Sequence, residues 1–288
     1  MSQNRNDMPS LLKMCASMLI FGTVGIFRSY IPLSSALLSC VRGIAGALFL
    51  AVIAALRRQA FSPRLRVKEK LPFVISGCLI GLNWMFLFEA YRFTSVQIAT
   101  LCYYTQPVIV LCLSPFLFGE KLTGRKIVCA LGAALGMFLI SGADNTANDI
   151  RGILYGLAAA CLYAGVVIFN KKAPKADAYE KTIIQLSSAG MIMIPYLLFT
   201  GGFGAVSLNT ISLLLVATVC LVHTGIAYML YFSAMEGLKA QTIAIMGYID
   251  PVSALLLSAW ILHESLTPAA FAGAVLIIVS ALIAELGE

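Results

Sequence analysis

Several polar side chains interrupt stretches that are otherwise apolar enough for lipid: Asn83, Trp84, Tyr103, Tyr104, Gln106, Tyr163, His223, Tyr228, Tyr248 and Asp250. A polar or ionisable group at bilayer depth is costly, and such groups mark solute and ion pathways. Asp250 is the sharpest of them. It immediately precedes Pro251, which has no backbone N–H and clashes with the preceding turn. A break of that kind frees backbone carbonyls toward a cavity. A carboxylate beside it could bind a substrate amine or carry a proton; it could equally cap the kink. His223 could exchange protons with Asp250 or hydrogen-bond a solute, or simply satisfy a helix–helix contact. Trp84, Tyr104, Tyr163, Tyr228 and Tyr248 could together form an aromatic box for an aromatic or cationic solute, although each alone reads as packing.

Three charged residues give a weaker, gate-like signal. Glu89 and Arg92 are three residues apart, the spacing of a helix-surface ion pair. Arg42 lies inside an apolar run and could meet a substrate carboxylate, Glu89 or backbone carbonyls. The eight cysteines all fall in apolar runs, without a CxxC pair or a neighbouring metal-ligand histidine, so they read as small buried hydrophobes. HExxH, GxSxG and a phosphate-binding glycine loop are absent, so an ATP-driven pump on this chain is excluded and no metal or cofactor is expected.

The elements that must hold these residues are membrane helices. The chain is 60% hydrophobic and 11% charged, against about 25% charged in soluble domains. Apolar runs place ten spans at roughly 11–29, 33–56, 71–91, 96–118, 124–142, 152–170, 181–200, 209–234, 240–262 and 268–285. The breaks have physical causes: a Pro32 restart, the charged segment from Arg57 to Lys70, and glycine-rich turns at Ser141–Asp144 and Gly201–Gly204. With the N-terminus in the cytoplasm, 16 lysines and arginines fall in inside loops and tails and 3 in outside loops. This bias puts both termini on the cytoplasmic side of the cell (plasma or inner) membrane. It also accounts for the net charge of +7 without a nucleic-acid partner. The polar N-terminus runs straight into a full span and does not read as a removed signal peptide.

The sequence repeats itself. Gln97–Thr123 aligns without a gap with Gln241–Thr267, an offset of 144 residues, and ten of 27 positions are identical, among them Gln97/Gln241, Tyr104/Tyr248, Pro107/Pro251 and Glu120/Glu264. Gln106 stands in the first half where Asp250 stands in the second, which gives this position a backbone role in both. Glu120 and Glu264 fall at membrane surfaces and read as helix-end residues. The pairs Gly77/Gly81, Gly132/Gly136 and Gly152/Gly156 permit close helix approach. Two halves of five spans each must enter the membrane with opposite polarity. The expected fold is therefore an all-α polytopic membrane protein with ten helices in a 5+5 inverted-topology repeat, the halves spanning 1–142 and 152–285.

Ten spans, the 5+5 repeat, and a proline-containing fourth helix ending in E-x-L-T in each half resemble the drug/metabolite transporter superfamily, EamA type. FEAYRFT at Phe88–Thr94 and FSAMEGL at Phe232–Leu238 fit its third-helix end. The resemblance implies a secondary-active exporter of a small organic metabolite, such as an amino acid or related amine, working by alternating access. Its energy would come from protons or from the solute gradient. The alternative is an intramembrane enzyme or channel with a midplane Asp/His site.

Overall fold

The computed structural model describes residues 8–56, 66–94, 99, 102–141, 150–202, 209–261 and 267–286. Gln97, Glu264 and Leu266 of the repeat, and most of the charged segment after span 2, lie outside the described residues. Within them every regular element is helical. The first half contains α1 (Met8–Ser29), α2 (Ser35–Leu56), α3 (Val67–Phe93), α4 (Gln106–Phe118) and α5 (Gly124–Ser141). The second contains α6 (Ile150–Lys172), α7 (Ala178–Thr200), α8 (Thr210–Thr218), a π-helical segment (Val219–Ile226), α9 (Ala227–Ala234), α10 (Ala240–Met246), α11 (Ile249–Ile261) and α12 (Pro268–Leu286). Shifting the first five by 144 residues lands each on its counterpart to within a few residues. The chain is thus ten spans in two inverted halves. Large apolar side chains face outward from many helices, Phe116, Leu198, Phe199 and Trp260 among them, as a lipid-facing surface requires.

The packing exchanges partners between the halves as a two-fold axis demands. Helix α3 packs on α6 while α9 packs on α1, and α1 packs on α11 while α4 packs on α6. Two pairs of equivalent helices meet each other directly, α2 with α7 and α5 with α12. Glycine makes the closest crossings possible. A Cβ on Gly190 would lie 2.9 Å from the Ile44 backbone nitrogen, and one on Gly43 2.8 Å from that of Gly190. The three glycine pairs singled out from the sequence behave in this way. Gly77 and Gly81 lie against α7, Gly132 and Gly136 against α12, and Gly152 and Gly156 against Thr94, Ala99 and Cys102.

Four spans differ from the sequence reading. Span 4, read as 96–118, has its helix α4 only from Gln106, after a turn at Tyr104–Thr105. Span 3 begins at Val67 rather than 71, because the Glu69 carboxylate accepts the Arg66 N–H at 2.7 Å and starts the helix inside the charged segment. Span 9 is two helices, α10 and α11, separated at Gly247–Tyr248. Span 8 carries the π-helical segment in its middle. That insertion of wider turns is a feature of functional sites, and hydropathy alone does not reveal it.

Candidate functional site

The residues that precede the two proline breaks, Tyr104 and Tyr248, meet each other. Pro107 and Pro251 both lie in the first turn of a 13-residue helix, where no backbone N–H is required, and both are buried. Tyr104 and Tyr248 are repeat equivalents, and their rings stack at 6.3 Å. Equivalent residues can touch only next to the pseudo-two-fold axis. An axis lying in the membrane plane runs through mid-depth, so this pair marks the midplane. The Tyr248 hydroxyl donates to the Tyr104 carbonyl at 3.0 Å. The Tyr104 hydroxyl donates to Asp250 Oδ2 at 3.1 Å. The site is therefore asymmetric because one half has Asp250 where the other has Gln106.

Asp250 sits in the first turn of α11, where the helix dipole favours a negative charge. Among the described residues no lysine, arginine or histidine pairs with it. Gln106 is buried, and its Oε1 has no hydrogen-bond partner among the described residues.

A continuous arc of rings leads away from Asp250. Tyr104 meets Tyr103 at 5.2 Å, Tyr103 meets Tyr163 at 5.9 Å, and Tyr163 meets Tyr231 at 6.4 Å. Tyr231 meets Tyr228 at 6.4 Å, and Tyr228 meets Trp84 at 6.3 Å. The Tyr163 and Tyr231 hydroxyls are hydrogen-bonded to each other, as are Trp84 and the Tyr228 hydroxyl. Phe21 closes the arc from α1, 4.8 Å from Tyr228. The arc ends under Arg42, whose guanidinium carbon lies 4.6 Å above the Trp84 ring, a cation–π contact. Tyr231 and Phe21 were not in the sequence-derived set. Tyr231 lies one helical turn after Tyr228, on the same face, a spacing that could have identified it.

His223 and Arg42 belong to the π-helical segment and its neighbour. The wider turns let Thr224 donate to the Val219 carbonyl five residues back, at 2.9 Å. Thr224 Oγ1 in turn accepts Arg42 Nε–H at 3.1 Å. His223 Nδ1 faces the Thr218 carbonyl at 3.4 Å, so that nitrogen carries the proton. Its Nε2 lies 2.7 Å from Thr23 Oγ1 on α1. Thr23 Oγ1 is also 2.7 Å from the Ile20 carbonyl, so the hydroxyl can rotate between the two. His223 thus links α1 to the π-helical segment. Among the described residues its ring bonds Thr23 and Thr218 and makes no bond to Asp250.

The remaining candidates are used in packing. Asn83 donates to the Ala159 carbonyl at 2.7 Å and joins α3 to α6. Glu89 pairs with Arg92 at 3.0 Å and accepts the Tyr196 hydroxyl at 2.7 Å, so it is not Arg42's partner. At the lysine-rich end the halves are tied together. The Glu120 carboxylate accepts the Ala240 and Gln241 N–H groups at 2.8 and 3.2 Å, and Gln241 Nε2 donates to Ser114 at 2.7 Å. Lys171 donates to the Met235 and Leu238 carbonyls, Lys181 pairs with Glu236, and Lys13 reaches Ser233 at 3.1 Å. Glu120 is a helix-end residue as expected, but it caps a helix of the opposite half.

A ten-span inverted repeat with broken helices around a polar midplane defines a membrane-transporter architecture. The EamA-like transporter family matches residues 8–142 and 150–285, and the chain belongs to that family. It is 31% identical over 252 residues to the uncharacterized transporter YxxF of Bacillus subtilis (strain 168), covering 86% of this chain and 80% of that one. It is 26% identical to the protein PecM of Dickeya dadantii (strain 3937), covering 74% and 72%. To the riboflavin transporter ImpX of Fusobacterium nucleatum subsp. nucleatum (strain ATCC 23726 / VPI 4351) it is 24% identical, covering 72% of each. One solved crystal structure shares the fold, with a TM-score of 0.81 at 20% identity over 96% of this chain and 97% of that one. The protein is a multi-pass membrane transporter.

Proposed function

We propose that this transporter is secondary-active and exports a small organic metabolite, such as an amino acid or related amine, by alternating access, with Asp250 at the centre of its binding site. The observation that carries this reading is the midplane arrangement. Asp250, which has no cationic partner among the described residues, lies in the first turn of a half-helix and is joined by Tyr104 to an arc of aromatic rings. Broken helices that present charges and backbone ends at mid-depth are how inverted-repeat carriers bind solutes. The lysine-rich end faces the cytoplasm, with both termini, on the strength of the 16-to-3 distribution. That end is held together in this conformer by Glu120, Lys171 and Lys181 and their partners.

A proton is the natural coupling ion, because a solute amine and a proton would compete for one carboxylate. Asp250→Asn keeps shape and hydrogen bonding while removing the titratable charge. The expected result in proteoliposomes is normal folding with transport abolished or strongly reduced, and a residual rate that no longer varies with pH. His223→Gln is expected to move the pH profile more than the maximal rate. Wild-type transport by Asp250→Asn across pH 5.5 to 8.5 would make Asp250 a structural cap on the Pro251 kink.

A further inference from the structure

Gln106 is a buried polar side chain at the centre whose amide has no role in the binding of solute described above. Its Oε1 makes no hydrogen bond to a described residue, and a buried acceptor left unpaired is costly. The amide lies at the break between α10 and α11. A Cβ on Gly247, the residue before Tyr248, would come 3.5 Å from Gln106 Nε2.

The repeat identifies a donor for it. The 144-residue offset carries Tyr104 onto Tyr248 and Gln106 onto Asp250. The bond from the Tyr104 hydroxyl to Asp250 joins the first half to the second. Its two-fold counterpart runs from the Tyr248 hydroxyl to the Gln106 side chain. A tyrosine has one O–H to give, and in this conformer Tyr248 gives it to the Tyr104 carbonyl at 3.0 Å. Exposure divides the two pairs in the same way. Tyr104 and Asp250 are half-buried, whereas Tyr248 and Gln106 are buried. The bonded pair is the accessible one, and the unbonded pair is shut in.

We propose that Gln106 is a positioning residue for the transport cycle: in the opposite access state its Oε1 accepts the Tyr248 hydroxyl, as Asp250 accepts the Tyr104 hydroxyl in this one. The proposal rests on alternating access and not on Asp250 binding the solute. Halves related by an in-plane two-fold axis can trade places between the two access states. Each state then gives one of the two side chains its tyrosine and withholds the other's. The cost of the unpaired group is carried in both states, which keeps them close in energy, so neither traps the carrier.

The equilibrium between the two states is read in the full-length protein in lipid nanodiscs, cysteine-free except for Ser114→Cys, with no solute added. Ser114 is fully buried behind Gln241, so its labelling by a small maleimide follows opening of the lysine-rich end. Gln106→Met keeps the length of the side chain and removes the acceptor. It relieves the unpaired oxygen in this conformer and deletes the Tyr248 bond from the opposite one, so labelling is expected to slow about tenfold. Damage to packing would do the reverse, speeding labelling and lowering the thermal midpoint. In a Tyr248→Phe background the donor is gone and the amide oxygen is unpaired in both states, so Gln106→Met should then change labelling little. The exchange of Gln106→Asp with Asp250→Gln puts the charged acceptor opposite Tyr248 and should speed labelling about tenfold. It decides alone if Gln106→Met does not fold. The role of Gln106 is overturned by a folded Gln106→Met that labels at the unmodified rate or faster, by equal slowing in the Tyr248→Phe background, or by an exchange variant that does not speed labelling. If those outcomes occur while Ser114→Cys still labels, alternating access stands without Gln106. If Ser114→Cys never labels in the folded protein, the lysine-rich end does not open, and alternating access fails together with this proposal.

Discussion

Glu120 offers a direct test of the seal at the lysine-rich end. Its carboxylate is partly buried and accepts two N–H groups at the start of α10, a helix of seven residues in the opposite half. Removing a helix N-cap costs about 0.5–2 kcal/mol, and a hydrogen bond to a charged group contributes about 1.5–3 kcal/mol. With partial exposure the low end applies, and both bonds together come to about 2 kcal/mol. These bonds join the two halves, so the loss falls on the sealed conformer rather than on either half alone. An energy of that size shifts the sealed/open ratio about 30-fold. The reporter is Ser114→Cys in a cysteine-free background. Ser114 is fully buried beneath Gln241, so a small maleimide reaches it only when the seal opens. Glu120→Ala is expected to speed labelling about 30-fold, and Glu120→Gln, which keeps one acceptor oxygen, about fivefold. The thermal midpoint should move little. If Glu120→Ala labels at the unmodified rate while remaining folded, these bonds do not hold the end shut.

Two further outcomes test the frame. At positions that all lie outside the described residues, single cysteines at Ser62 and Glu288 should label with an impermeant reagent only from the cytoplasmic side, and one at Asn145 only from outside. External labelling at position 62 in intact cells would refute the proposed orientation. Gly190→Leu forces a side chain against the Ile44 backbone of α2 and should lower stability by about 1–3 kcal/mol. Gly165→Ala meets only the flexible end of Leu79, at 3.0 Å, and should be tolerated, so fluorescence-detected thermal unfolding of the pair separates backbone crowding from loss of glycine as such.

Most of the architecture was legible in the chain. Span positions follow from hydropathy because lipid cannot hydrogen-bond a backbone, which forces long apolar helices. The inverted repeat follows from an odd number of spans per half and from the gapless match around Pro107 and Pro251. That match also pointed to Asp250 and to its departure from Gln106. The tertiary structure decided the partners. Hydropathy gives a residue's depth in its span but not the direction it faces. Asn83, at a depth that suited a solute site, turns into the α3–α6 seam, while Tyr231 joins the arc of rings. His223 could be assigned to Asp250 on depth alone, yet helix rotation aims it at Thr23 and Thr218. Arg42 could have met Glu89 by charge; the crossing of α2 with the π-helical segment sends it instead to Trp84 and Thr224. The sequence by itself determined what had to cross the membrane and that it did so twice, since both are one-dimensional consequences of solvation and chain length. Which polar groups meet was left to the rotation and crossing of helices, set by glycine contacts between residues as distant in sequence as Gly22 and Ser253.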